Sequence, residues 1–308
     1  MASARGLYRL GLTVAGLGAA ALILAGWVSL GAVSLSPPPL GALIGACERF
    51  LSPDVSPRAL FTLSLATPGL AAIALGSRSL LRELRAQRRL AARLEVTGKV
   101  DVDGSEVLVL DDHRARAFCA GYLRPRIYVS SGALALLSRS ELGAVVAHER
   151  HHRARRDPLR LLAFRTLSES LFFLPVLRRL ADRYRVLAEM AADEAAAREW
   201  GRRKLASALL AFGESSAPQA AVGIAPERVD HLLGQPARWE LPLALLVGSL
   251  LAALALGAAA LAAGGALGTA TVNLPLLLTQ SCMVAMVILP VFLAVGALLA
   301  ARPMLSPR

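Results

Sequence analysis

The residues with the clearest chemical potential lie in one stretch, His148-Glu149-Arg150-His151-His152. It reads H-E-x-x-H, a pattern in which two histidines bind zinc and the glutamate acts as a general base. Residues four apart share one face of a helix, so His148 and His152 can direct two imidazoles at one Zn²⁺. Glu149 then lies beside the metal, where it can take a proton from the water that attacks a peptide carbonyl. If the stretch is helical, it predicts a zinc hydrolase with one Zn²⁺ per chain.

The residues on either side predict that helix. Ser138 and Glu141 have the S-x-x-E spacing of a capping box, which opens helices. Asp157 precedes Pro158, and a residue before proline is pushed out of helical geometry. We therefore predict one helix over residues 139–156, with the motif in its second half.

His151 is a weaker candidate ligand. It lies three residues after His148 and could replace His152. Only the His148/His152 pair, however, leaves Glu149 correctly placed beside the metal. We expect His151 to be a surface residue or a support for the ligands.

A third protein ligand is needed, because a catalytic zinc site has three and keeps a fourth position for water. Glu189 and Asp193 are four apart on a helix predicted near residues 177–201, and hence on one face. Glu189 suits the ligand, and Asp193 can accept a hydrogen bond from a ligand histidine and fix its tautomer. The residues alone leave Glu169 and Glu194 as alternative ligands.

Short β-rich runs precede the motif and predict a small sheet. They are Glu106–Leu110, Ala117–Ala120 and Arg126–Val129. An edge of this sheet could hold an extended substrate as an added strand. Strands that only support the helix would give the same sequence pattern.

Long uncharged runs predict a membrane protein. The chain is 55% hydrophobic, and no charged residue occurs in 10–47, 59–77 or 241–301. A membrane helix needs about 20 apolar residues. We predict four spans, near residues 11–35, 59–77, 241–263 and 274–300. The first run is too long for the apolar core of a signal peptide, which favours a retained helix.

The positions of the basic residues predict the orientation. Of 34 lysines and arginines, 28 lie between Arg78 and Arg238, and two more lie in each terminal flank. The positive-inside rule then places both termini and the central region in the cytoplasm of a multi-pass plasma-membrane protein. This topology explains the net charge of +12 without nucleic acid, for which no motif is present.

These patterns divide the chain into three segments. Residues 1–77 are predicted to form an N-terminal transmembrane hairpin, residues 78–238 a cytoplasmic domain, and residues 239–308 a C-terminal transmembrane hairpin. Residues 78–94 predict a basic amphipathic helix that meets anionic membrane lipids. The predicted fold class is an α-helical membrane protein with four transmembrane helices and a cytoplasmic α+β domain.

Four stretches resemble the BlaR/MecR-type membrane zinc metallopeptidases. They are Ala117–Val129, Glu141–Asp157, Phe173–Val176 and Glu189–Asp193. The resemblance implies a gluzincin-like protease domain in which His148, His152 and Glu189 bind zinc. It also implies that Glu149 is the base and that Asp193 supports a ligand.

The resemblance extends to further residues and partners. The family and its HtpX-like relatives often place an arginine in a segment like residues 226–233, which makes Arg228 a candidate oxyanion stabiliser or else a surface residue. The antibiotic sensors of the family carry a penicillin-binding domain acylated at S-x-x-K, a motif that neither Lys99 nor Lys204 completes. The resemblance therefore implies regulatory proteolysis, in signal transduction, of a protein or peptide substrate, without β-lactam sensing. A BlaI/MecI-like repressor and the chain itself are the candidate substrates.

Two other functions stay open. HtpX-type quality-control proteases place a membrane hairpin between the motif and the glutamate, whereas Glu189 follows His152 by only 37 positions. Residues 158–177 between them are apolar but carry three charges, so we expect a helix packed on the core or lying in the membrane interface. A non-catalytic sensor or scaffold with a structural zinc site is the alternative of another class, which the intact Glu149 disfavours.

Overall fold

The computed structural model describes residues 4–34, 36–48, 57–215, 228 and 241–265, with isolated positions from 272 to 293. The helices and strands in chain order are α1 (Ala4–Gly31), β1 (Val33–Ser34), α2 (Leu40–Glu48), α3 (Pro57–Ser64), α4 (Ala66–Arg93), β2 (Val96–Val102), β3 (Ser105–Leu110), β4 (Ala117–Ala120), β5 (Arg126–Ser130), α5 (Ser131–Leu136), α6 (Arg139–Arg155), α7 (Asp157–Ser170), α8 (Val176–Trp200), α9 (Arg202–Ser215), α10 (Leu243–Gly264) and β6 (Val272–Asn273). The chain forms two compact units. One comprises Met1–Ala19 with Ala71–Ala253, and the other comprises Ala20–Leu70 with Leu254–Arg308.

Three helical segments in the described ranges are long and apolar enough to cross a membrane: α1, Leu60–Arg93 and α10. They correspond to three of the four predicted spans. The described residues thus hold three candidate spans rather than four, because the fourth, near 274–300, lies largely outside them.

The second candidate span runs on into the basic region without a break. Helix α4 contains both the end of the apolar run and the basic residues that follow Arg78. The helix predicted over residues 78–94 is therefore confirmed up to Arg93, as the last part of α4. Pro68 does not interrupt α4, because it lies in the first turn, where a backbone N–H has no helical partner.

An apolar cluster and a hydrogen bond connect the helices of the second unit. Ala25 and Val28 of α1 pack with Leu65, and two alanines of α10 complete the cluster. The Ser29 hydroxyl donates to the backbone oxygen of Thr62 over 2.8 Å. Small side chains let apolar helices approach closely.

A four-stranded sheet lies in the first unit, in the order β2-β3-β5-β4. The β3–β5 pair is parallel and the other two pairs are antiparallel. The three predicted strands are confirmed as β3, β4 and β5. Strand β2 was not predicted, because Gly98, Lys99 and Asp101 interrupt its apolar pattern. It lies at an exposed edge of the sheet.

Helix α6 confirms the predicted motif helix. The Ser138 side chain accepts from the backbone of Glu141, whose carboxylate accepts from the backbone of Ser138. The helix ends at Arg156, which adopts a left-handed conformation with φ of 51°. The prediction that Pro158 pushes Asp157 out of helical geometry is wrong. Asp157 is the first residue of α7, and a proline is tolerated in the first turn of a helix.

Helix α6 packs between the sheet and two other helices. Val146 joins the core formed by Val107, Ile127 and Val129 of the sheet. The alanines of α6 contact α8 and α9 on the other side. Such packing makes α6 a rigid base for the residues that it carries.

Candidate metal centre

Helix α6 places the two motif histidines side by side. The helix buries the run Gly143–His148, and His152 follows one turn later at the edge of the core. The Nε2 atoms of His148 and His152 lie 3.1 Å apart. The stretch is therefore helical, and the two imidazoles share one face as the spacing predicted.

Helix α8 brings a carboxylate to this pair. The Oε2 atom of Glu189 lies 3.5 Å from Nε2 of His148, and its Oε1 atom lies 3.6 Å from Nε2 of His152. These three side chains form a group that could hold a metal ion. The two alternative ligands are elsewhere: Glu194 is exposed to solvent, and Glu169 pairs with an arginine of α4.

Each histidine has a second carboxylate on its other ring nitrogen. Oδ1 of Asp193 lies 3.0 Å from Nδ1 of His148, and Oδ2 of Asp157 lies 2.9 Å from Nδ1 of His152. The Tyr184 hydroxyl donates to Oδ1 of Asp157 over 2.7 Å. An ionised carboxylate only accepts, so each one favours a proton on the Nδ1 atom beside it and directs Nε2 toward a bound metal ion.

This donor set fits zinc. The two Nε2 atoms lie only 3.1 Å apart with a carboxylate on the same side, an arrangement that a cation among them would stabilise. Tetrahedral ligands about 2.0–2.1 Å from zinc are about 3.3 Å apart, close to the spacing seen here. Two histidines and one glutamate are also a ligand set of catalytic zinc.

The electrostatics of the site favour positive charge at the same point. Burial lowers the pKa of His148, but its contacts with Asp193 and Glu189 outweigh burial and raise that pKa to about 10. Burial raises the pKa of Asp193, whereas contacts with His148 and Arg228 lower it to about 2. The carboxylates therefore stabilise a positive charge here, whether a proton or a metal ion carries it.

Glu149 lies beside the ligand group and is tied to the sheet. Burial is the largest influence on its carboxyl and raises the pKa, while His148 and His152 oppose that rise only in part. The backbone of Cys119 in β4 lies near enough to the carboxyl to stabilise its charged form in part. A carboxylate whose pKa is raised toward neutrality is a better general base than a solvated one.

Arg228 also lies in this site. Its Nε and Nη2 atoms donate to the two oxygens of Asp193 over 2.8 and 2.7 Å, and Nη1 lies 3.1 Å from Oε2 of Glu189. This bidentate contact holds Asp193 in position next to His148. The oxyanion role stays a prediction, and the observed contacts support a positioning role.

Two residues of the site were not predicted. Asp157 was interpreted only as the end of a helix, although an acid five residues after the second histidine was a usable signal. Tyr184 had no signal in the sequence. His151 is half-buried and lies outside the ligand group, with its ring centroid 6.4 Å from that of His152.

Comparison with known proteins identifies one family. A family model for the BlaR1 peptidase M56 matches residues 69–230, just over half of the chain. The matched range contains every residue of the site described above. No curated protein and no solved structure matches the chain.

Proposed function

Because the chain belongs to the BlaR1 peptidase M56 family and is thus a membrane-associated metallopeptidase, we propose that it is an integral-membrane zinc endopeptidase. The observation that carries this proposal is the group of His148, His152 and Glu189 with Glu149 beside it. Ligands alone would suit a structural metal site. The added base supports hydrolysis over a non-catalytic sensor or scaffold.

Each side chain of the site has a role in the proposed peptide hydrolysis. A bound Zn²⁺ would polarise the scissile carbonyl and lower the pKa of a water molecule to about 7. Glu149 accepts a proton from the attacking water and passes it to the leaving amine. Asp193 and Asp157 hold the histidine tautomers, and Arg228 holds Asp193.

Strand β4 is a candidate platform for the substrate. It is the edge strand next to β5, and its residue Cys119 contacts Glu149 through the backbone. An extended peptide added to this edge would lie along the base. The proposed substrate is therefore an unfolded segment or a loop of a protein, because only such a segment can pair with β4 as an added strand.

Orientation and biological role rest on the charge distribution and the resemblance. We place the metal centre and both termini on the cytoplasmic side, because the short flanks and the central region carry the basic residues. Regulatory proteolysis of a repressor or of the chain itself is the role proposed. An HtpX-like quality-control role is the second candidate. The segment between His152 and Glu189 argues against it, because α7 is not among the candidate spans of the described ranges.

Metal removal tests the proposed reaction. We expect 1,10-phenanthroline to abolish cleavage of fluorescent casein by the purified full chain, and one equivalent of Zn²⁺ to restore it. Mg²⁺ should not restore cleavage, because nitrogen ligands favour zinc. Activity that survives complete metal removal would rule out a metallopeptidase of this design.

Asp157, whose carboxylate contacts Nδ1 of His152, provides a second test. Asp157→Asn keeps the shape of the side chain but removes the charge that orients Nδ1. We expect zinc affinity to fall about 10- to 100-fold, the usual effect of losing such a partner. Competition with a chromogenic chelator measures it. Asp111→Asn, at an exposed position, is the matched control, and equal affinities in the two variants would exclude this role.

A further inference from the structure

A cavity of about 410 Å³ lies between α4, α7 and α8 and contains none of the metal-centre residues. Its volume is within the range of ligand sites. Four arginines and two acidic residues line it: Arg78, Arg82, Arg165, Arg178, Glu169 and Asp182. The proposed peptidase reaction uses none of them.

Two of the four arginines are already paired. Arg82 contacts Glu169 at 2.5 Å, and Arg165 contacts Glu83 at 3.3 Å. Arg78 and Arg178 form no direct ion pair among the residues that the structure describes, although Arg82, together with Arg178, lowers the pKa of Glu169. Together with Asp182 they leave one positive charge in the cavity, which the single charge of a phosphodiester would balance.

The position of Arg178 also favours an anion in the cavity. It lies in the first turn of α8, a turn that contains no acidic residue. The N-terminus of a helix carries partial positive charge, so a cation there is destabilised and an anion is stabilised. An anion in the cavity would interact favourably with both the arginine and the helix end.

The cavity begins where α4 leaves its apolar run. Arg78 is the first charged residue after the uncharged residues 59–77. Leu75 lines the cavity three residues earlier, on the same face. The cavity therefore has an apolar end toward the candidate span and a cationic end at the level of headgroups.

From this arrangement we propose that the cavity binds the phosphate headgroup of an anionic phospholipid. Arg78 and Arg178 bind the phosphodiester, and an acyl chain lies along Leu75 toward the apolar part of α4. Basic pockets beside membrane helices recognise lipids in this way. The apolar end distinguishes a lipid from free phosphate, which needs only the arginines.

Binding of phosphatidylglycerol to the delipidated full chain tests the proposal. Native mass spectrometry in detergent would compare phosphatidylglycerol, phosphatidylcholine and inorganic phosphate. We expect one tightly held phosphatidylglycerol per chain. Arg78→Gln/Arg178→Gln should weaken it about 30-fold, from the effect of two arginines near an anionic surface. The control Arg85→Gln/Arg179→Gln changes the same helices and the same charge outside the cavity and should stay within about twofold.

A cavity-filling variant gives an independent readout. Ala181→Trp fills the space without changing its charge, because Ala181 lines the cavity, and should also prevent binding. Unchanged thermal unfolding and zinc content identify variants that fold normally. If both double-arginine variants lost lipid binding equally, the proposal would be overturned, because general attraction between basic residues and anionic lipid would explain the binding. Equal binding of phosphatidylcholine, or displacement of the lipid by low millimolar phosphate, would overturn the assigned ligand.

Discussion

Replacing Glu149 with glutamine should lower kcat/KM for peptide cleavage by about 1,000-fold, within the range usual for loss of a general base. Glutamine has nearly the same shape and can occupy the same place near the backbone of Cys119. It cannot take a proton from water at neutral pH. The loss should therefore appear in kcat, with the fold and the metal site unchanged. Cleavage of fluorescent casein by the purified full chain measures it.

Glu106→Gln is the matched control for this experiment. Glu106 is an exposed residue of β3 that pairs with Lys99, so its change of charge is the same but lies away from the metal centre. The control should retain wild-type kcat/KM. Comparable cleavage by Glu149→Gln and Glu106→Gln would show that the site does not use Glu149 as its base.

Glu189→Ala should lose the metal as well as the activity. The two histidines would remain, but two ligands do not hold zinc as three do. We expect zinc affinity to fall by more than about 100-fold. This loss is larger than that expected for Asp157, which contacts a ligand but does not bind the metal itself. Arg228 would also lose one of its two acidic partners while keeping Asp193. Chelator competition measures the affinity.

Glu194→Ala is the matched control for Glu189→Ala. It changes an exposed glutamate on the same helix, five residues further on. The control should bind zinc as the wild type does. If Glu194→Ala lost the metal and Glu189→Ala kept it, the ligand assignment would have to be exchanged.

The sequence predicted the motif helix well because its signals are local. The capping box of Ser138 and Glu141 opens α6 with the expected hydrogen bonds. The three strands with clear β-rich runs also form. Strand β2 was missed, because an exposed edge strand leaves a weak local signal.

The residues that support the metal ligands come together only through tertiary contacts. The spacing of Glu189 and Asp193 indicated one helix face, but not that this face meets α6. Asp157 reaches His152 only because the left-handed Arg156 turns the chain between two helices. Tyr184 contacts Asp157 from a different helix, a pairing that no local pattern encodes. Arg228 was singled out, yet its pairing with Asp193 followed only from the structure.

We propose that His148, His152 and Glu189 hold one zinc ion that works with Glu149. Zinc content per chain, measured by mass spectrometry on wild type, Glu149→Gln and Glu189→Ala purified in parallel, tests it most directly. We predict about one zinc in the wild type and in Glu149→Gln, and close to none in Glu189→Ala. Undiminished zinc in Glu189→Ala, or its absence from the wild type after growth with zinc, would contradict the claim.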